Sequence, residues 1–69
     1  MKSVSGQEFA KALERKGWKL MRVNGSHHIY SKPGESLRIS VPVHGKKDLK
    51  SGMLRHFMKQ ANLSEEDLK

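Results

Sequence analysis

Two turn dipeptides, Asn24-Gly25 and Pro33-Gly34, cut the middle of the chain into three short segments. No other feature restricts the fold as strongly. Asn-Gly between apolar runs is the strongest short hairpin signal, because both residues tolerate positive φ. Pro-Gly suits a type II turn, with proline fixing one φ and glycine supplying the left-handed one. "WKLMRV" alternates loosely before the first turn, and "HHIYS" follows it. "SLRISV" alternates cleanly, with Leu37, Ile39 and Val41 on one face, and ends at Pro42. Proline has no ladder N–H to give. The reading is a three-stranded antiparallel sheet, which needs one face covered to be stable.

Two helices can cover it. Ser5 and Glu8 form an S-x-x-E capping box, in which each side chain satisfies the other's backbone N–H. Val4 and Phe9 stand at the two positions of a hydrophobic staple, and Gly17 is a natural stop after Lys16. A first helix is predicted from about Gly6 to Lys16. From Asp48 the apolar period changes to a helical one, with Leu49, Met53, Leu54, Phe57, Met58 and Ala61 on one stripe. Lys50, Arg55 and Lys59 fall on the other side, and both Met53 and Met58 are expected in the core. Ser64 with Asp67 marks a short C-terminal turn. The fold class is α+β: a two-layer sandwich in the order α-β-β-β-α. Residues 1–69 are read as one domain.

His27 and His28 are adjacent, so in a strand they point to opposite faces. With two-residue loops at Asn24-Gly25 and Pro33-Gly34, Arg22 opposes His27 and Met21 opposes His28. Tyr30 then opposes Leu37, His28 opposes Ile39, and His27 opposes Ser40. One face carries Met21, His28, Tyr30, Leu37, Ile39 and Val41, the face for the helices. The other carries Arg22, His27, Arg38 and Ser40, together with Trp18, Leu20 and Ile29. His28 is thus the packed histidine and His27 the exposed one.

Fourteen Lys plus Arg stand against seven Asp plus Glu, a net charge of +7 with pI near 10.1. That balance favours a polyanionic partner. The chain has no cysteine, which excludes disulfides and thiolate metal sites and suits a reducing compartment. No apolar run reaches the ~20 residues of a membrane span. "MKSVSGQEF" has no apolar stretch of a signal peptide. The expected location is the cytoplasm, with no membrane partner, and neither metal nor small-molecule cofactor is legible.

A histidine beside an arginine suits metal-free RNA cleavage. Histidine titrates near neutrality and takes a hydroxyl proton, while arginine forks onto phosphate. His27 with Arg22 supplies both. Gly25 and Ser26 let a phosphate approach the backbone closely, and Arg38 adds a cation on the same face. His44, Lys46 and Lys47 lie in the loop before the second helix, read either as phosphate contacts, with His44 a possible second acid–base group, or as ordinary solvated loop. His56 is read as a surface or boundary residue.

"KGW", "GSHHIY", "VPVH" and "DLKSGMLRHFMKQANLS", in this order and spacing, resemble the HicA toxins of bacterial toxin–antitoxin systems. The resemblance runs from Ser5 to Asp67. It implies a fold like the double-stranded-RNA-binding domain, endoribonuclease activity on messenger RNA, and neutralisation by a HicB-like antitoxin. It also implies that the catalytic histidine is the one in the Gly-Ser-His word, here His27; strand parity favours His27 over His28. The rival reading is a catalytically silent double-stranded-RNA binder, which needs lysines and arginines but no particular histidine.

Overall fold

The computed structural model describes residues 3–68. Met1, Lys2 and Lys69, the ends of the expected domain, lie outside the described residues. Helix α1 spans Gly6–Arg15, strands β1, β2 and β3 span Lys19–Asn24, His27–Lys32 and Glu35–Pro42, and helix α2 spans Ser51–Ala61. A 3₁₀ turn follows over Glu65–Leu68. The sheet is antiparallel in the order β1-β2-β3. The α-β-β-β-α order is the expected one.

Helix α1 begins where its capping box requires. The Glu8 N–H donates to Ser5 Oγ at 3.2 Å, and the Ser5 N–H donates to Glu8 Oε1 at 3.1 Å. It ends at Gly17, whose φ of 96° puts it in the left-handed region. The Gly17 N–H then reaches the Glu14 carbonyl at 3.2 Å and the Trp18 N–H reaches Leu13 at 3.0 Å, the paired bonds of a Schellman stop. Asn62, with φ 57°, ends α2 in the same way, and the Leu63 N–H bonds the Met58 carbonyl at 2.9 Å. Trp18 and Leu63, the residues after these two stops, are both buried.

Both helices lie on one face of the sheet. Phe9 and Leu13 of α1 share a single core with Leu54, Phe57 and Met58 of α2 and with Tyr30, Ile39 and Val41 of the strands. The Phe9 and Phe57 rings stack with centroids 5.7 Å apart. Val4 is buried beside Phe9, as a staple requires.

Several expectations are corrected. The hairpin loop is Gly25-Ser26, one residue later than Asn24-Gly25, because Gly25 alone takes the positive φ (63°) and Asn24 completes β1. A left-handed first corner only is what a type II′ turn uses. Arg22 therefore opposes Ile29, while Asn24 opposes His27 and Val23 opposes His28. On the other side His27 opposes Pro42, His28 opposes Val41 and Tyr30 opposes Ile39. A second irregularity, between Tyr30 and Lys32, shifts this register by two residues and so preserves the faces.

Next, β1 carries a bulge at Met21, between the Leu20–Tyr30 and Arg22–Ile29 pairs. One extra residue reverses the alternation below it. Trp18 and Leu20 turn to the helix side, and Trp18 is buried to 3% exposure rather than lying on the open face. Met21 and Leu37, expected in the core, are exposed. Finally, α2 starts at Ser51, not Asp48, with Lys50 as its N-cap, and Met53 is 40% exposed rather than packed. Leu49 is buried just ahead of the helix, so the chain enters α2 by anchoring Leu49 and leaves Met53 at the rim.

Candidate functional site

His27 begins β2 on the sheet face that no helix covers, and its side chain is exposed. Asn24 and Pro42 flank it across the two ladders. Arg22 shares that face, one pair along from Asn24. It is diagonal to His27, where Cα atoms lie ~7–8 Å apart and a long side chain still reaches. Ile29 and Ser40 continue the face between Arg22 and the third strand. Arg38 is on it too, but four residues along β3 from Pro42, about 13 Å at strand rise. It does not join the cluster around His27.

His28 points the other way. It is half-buried opposite Val41, on the side of Tyr30. Below it the Tyr30 hydroxyl donates to Glu14 Oε2 of α1 at 3.3 Å. Burial, then the Glu14 charge, pushes the Tyr30 pKa up to about 12. This bond fixes β2 against α1 and so holds the strand that presents His27.

The hairpin tip meets the loop after β3. The Val43 N–H donates to the Ser26 carbonyl at 2.8 Å, extending the β2–β3 ladder by one step. Ser26 Oγ lies 3.4 Å from His44 Nε2. A turn then reverses the chain: the Lys47 N–H donates to the His44 carbonyl at 3.0 Å, with Gly45 left-handed at φ 57°. Lys46 stands at the tip of this turn, exposed. The chain next runs back beside the N-terminal segment, where Ser5 bridges Asp48 and the Leu49 N–H donates to the Val4 carbonyl at 2.8 Å. A groove of about 190 Å³ lies between this loop and the start of α2. Pro42, Leu49 and Met53 give it apolar walls, and His44, Lys47, Asp48 and Lys50 ring it.

The structure thus gathers Arg22, Gly25, Ser26, His27 and His44 at one end of the sheet, with Lys46 and Lys47 in the adjoining turn. Asn24 and Lys50 join them and were not singled out by sequence. The sequence pattern places Asn24 in the loop and Lys50 on the outer side of a helix, whereas Asn24 completes β1 and Lys50 only caps α2. Among the described residues, no three His, Cys, Asp or Glu side chains gather as a metal site. No described helix is long and apolar enough to cross a membrane.

The family model described as "HicA toxin of bacterial toxin-antitoxin" matches residues 6–63. The chain belongs to the HicA toxin family. It is therefore the toxin of a toxin–antitoxin system, and its natural counterpart is an antitoxin. A search of curated proteins returned no match. The HicA match spans every strand and both helices and stops before the 3₁₀ turn. That turn is tied to the matched part by Asp67. Its backbone carbonyl accepts from Arg15 at 3.0 Å, and its carboxylate pairs with Lys16 at 3.2 Å. The Ser64 N–H, foremost, and Lys16 hold the Asp67 pKa down.

Proposed function

We propose that this toxin is a metal-independent endoribonuclease that cuts messenger RNA in the cytoplasm, with His27 as general base. The observation that carries the reading is the setting of His27. It is an exposed histidine on the bare face of the sheet, with Arg22 diagonal to it and the Ser26–His44 contact beside it. In this reading His27 takes the proton of a ribose 2′-hydroxyl, and the 2′-oxygen attacks the neighbouring phosphorus. The bond to the 5′-oxygen breaks. His44 gives that leaving oxygen its proton. The products are a 2′,3′-cyclic phosphate and a 5′-hydroxyl. Arg22, Lys46 and Lys47 offset the charge that grows on the phosphate oxygens, and Gly25 and Ser26 leave the backbone open to them. Arg38, farther along the face, holds the strand rather than the reacting group. A HicB-like antitoxin neutralises the enzyme.

The test is cleavage of a labelled RNA by purified wild-type protein and His27→Ala, with and without EDTA. Circular dichroism checks the fold. Positioned acid–base catalysis supplies ~10²–10⁴-fold, so the folded variant should lose at least about a hundredfold, and EDTA should leave the wild type active. A folded His27→Ala that cuts like wild type removes His27 from the mechanism.

A further inference from the structure

We propose that the groove between the His44 loop and α2 is a subsite for one nucleobase of the RNA, on the nucleotide beside the scissile phosphate. The proposal rests on the ribonuclease reading for the identity of the strand. The groove itself stands on four observations.

The first is size. At about 190 Å³ it is smaller than the ~300–1,000 Å³ of sites for drug-sized ligands. It suits a single ring system. The second is the walls. Pro42, Leu49 and Met53 present flat and aliphatic surface to a planar ring. A thioether makes favourable contacts with aromatic rings, and Met53 holds its side chain at the rim although the helical stripe would bury it. The third is charge. Lys47, Lys50 and His44 surround these walls, so a base seated there has cations for the phosphates on either side of it. The fourth is position. His44 belongs both to the groove and to the contact with Ser26, and Pro42 is the cross-strand partner of His27. A strand whose base occupies the groove runs its backbone past the hairpin tip.

Asp48 sets the preference. Its backbone is fixed by the bridge to Ser5, while its carboxylate, at the groove, has no hydrogen bond or ion pair among the described residues. A carboxylate accepts from the exocyclic amino groups of cytosine, adenine and guanine. Uracil offers one ring N–H between two carbonyl oxygens, which a carboxylate repels. The subsite therefore selects an amino-bearing base over uracil.

The probes are CMP, AMP, GMP, UMP and inorganic phosphate, titrated into the full chain and followed by NMR. The amides of Lys47–Met53 and the Met53 methyl should move with CMP, AMP and GMP at several-fold lower concentration than with UMP. Inorganic phosphate should leave the Met53 methyl in place. Asp48→Asn should bring UMP level with CMP, and Met53→Ser, a change at a rim residue, should weaken all four nucleotides without unfolding the chain. Shifts reproduced in full by inorganic phosphate would mean an anion site only and would overturn the proposal. So would nucleotide shifts that bypass Met53, or a groove that responds to an antitoxin protein and to no nucleotide. Because the titration needs no turnover, a chain that binds CMP here but cuts no RNA sinks the ribonuclease reading alone.

Discussion

Ser26 Oγ lies 3.4 Å from His44 Nε2, joining the tip of the β1–β2 hairpin to the loop after β3. The pair brings a second imidazole to the end of the sheet where His27 stands exposed. A base and an acid that act in one step give a bell-shaped pH–rate profile. His44→Ala should lower RNA cleavage by roughly 10²-fold and remove the alkaline limb of that profile. Ser26→Ala, which only frees the His44 ring, should cost less and keep both limbs. Rates measured across pH on one RNA decide it. An unchanged alkaline limb in His44→Ala would take the acid role from His44.

The two neighbouring histidines should part company in stability. His28 is half-buried opposite Val41, and His27 is exposed opposite Pro42. Surface substitutions usually stay within about ±0.5 kcal/mol, whereas losing packed contacts costs more. Thermal melts should show His28→Ala lowering Tm clearly and His27→Ala barely moving it. The reverse order would contradict the faces assigned to the strands.

Gly6 opens α1 directly against the end of β3. A methyl group there would meet the Pro42 carbonyl oxygen and the Val43 Cα. Both obstacles are backbone, so neither can rotate away. Gly6→Ala should cost about 1–3 kcal/mol, the usual penalty of overpacking. Ser5→Ala, which removes only the cap, should cost about 1 kcal/mol. Urea unfolding of the two variants ranks them.

Tyr30 makes stability depend on alkaline pH. Its folded pKa is raised from 10.0 to about 12 by burial and by Glu14. The unfolded chain therefore loses the phenolic proton first. The stabilisation is fully present below pH 10 and is lost as pH rises toward about 12. Unfolding curves should weaken over that window, and Tyr30→Phe should flatten the dependence. Tyr30 is the one tyrosine in the chain, so its ultraviolet ionisation reports the same window directly.

RNA binding should fall steeply with salt, because each neutralised phosphate releases counterions. Changing Lys46 and Lys47 together to Ala should weaken binding and lower the slope of log K against log[salt] by about 1.4, at ~0.7 per phosphate contact on a single strand. Filter binding with the His27→Ala protein at several salt concentrations gives both quantities. An unchanged slope would mean that neither lysine touches phosphate.

Local signals in the sequence were reliable where one residue decides the backbone. Ser5 and Glu8 set the start of α1, Gly17 its end, and Ser64 with Asp67 the last turn. The faces of β2 and β3 were also legible, because their alternation is clean and the irregularity between Tyr30 and Lys32 shifts the pairing by an even number. The partition of His27 from His28 survived for that reason. The cross-strand partners were not legible. They depend on whether Asn24 or Gly25 takes the first corner of the turn, and the dipeptide alone permits both. The bulge at Met21 leaves no signal in "WKLMRV", so simple alternation puts Trp18 on the wrong face. Nor does periodicity reveal where α2 begins: Leu49 fits the helical stripe yet is buried from the segment before it.

That bulge at Met21 also governs how the molecule meets its own copies. Among the described residues β1 is an outer strand with no neighbour beyond it, and Leu20, Met21 and Val23 are all exposed along it. Were it flat, such a strand would be a template for polymerising with a second chain. An unpaired residue in mid-strand breaks the even row of donors and acceptors, and Lys19 and Arg22 set positive charge on either side of the break. A copy approaching in register meets a kink and like charge. Deleting Met21 would therefore straighten the strand and open the edge to self-assembly, while the Leu20–Tyr30 and Arg22–Ile29 pairs would keep Trp18 inward.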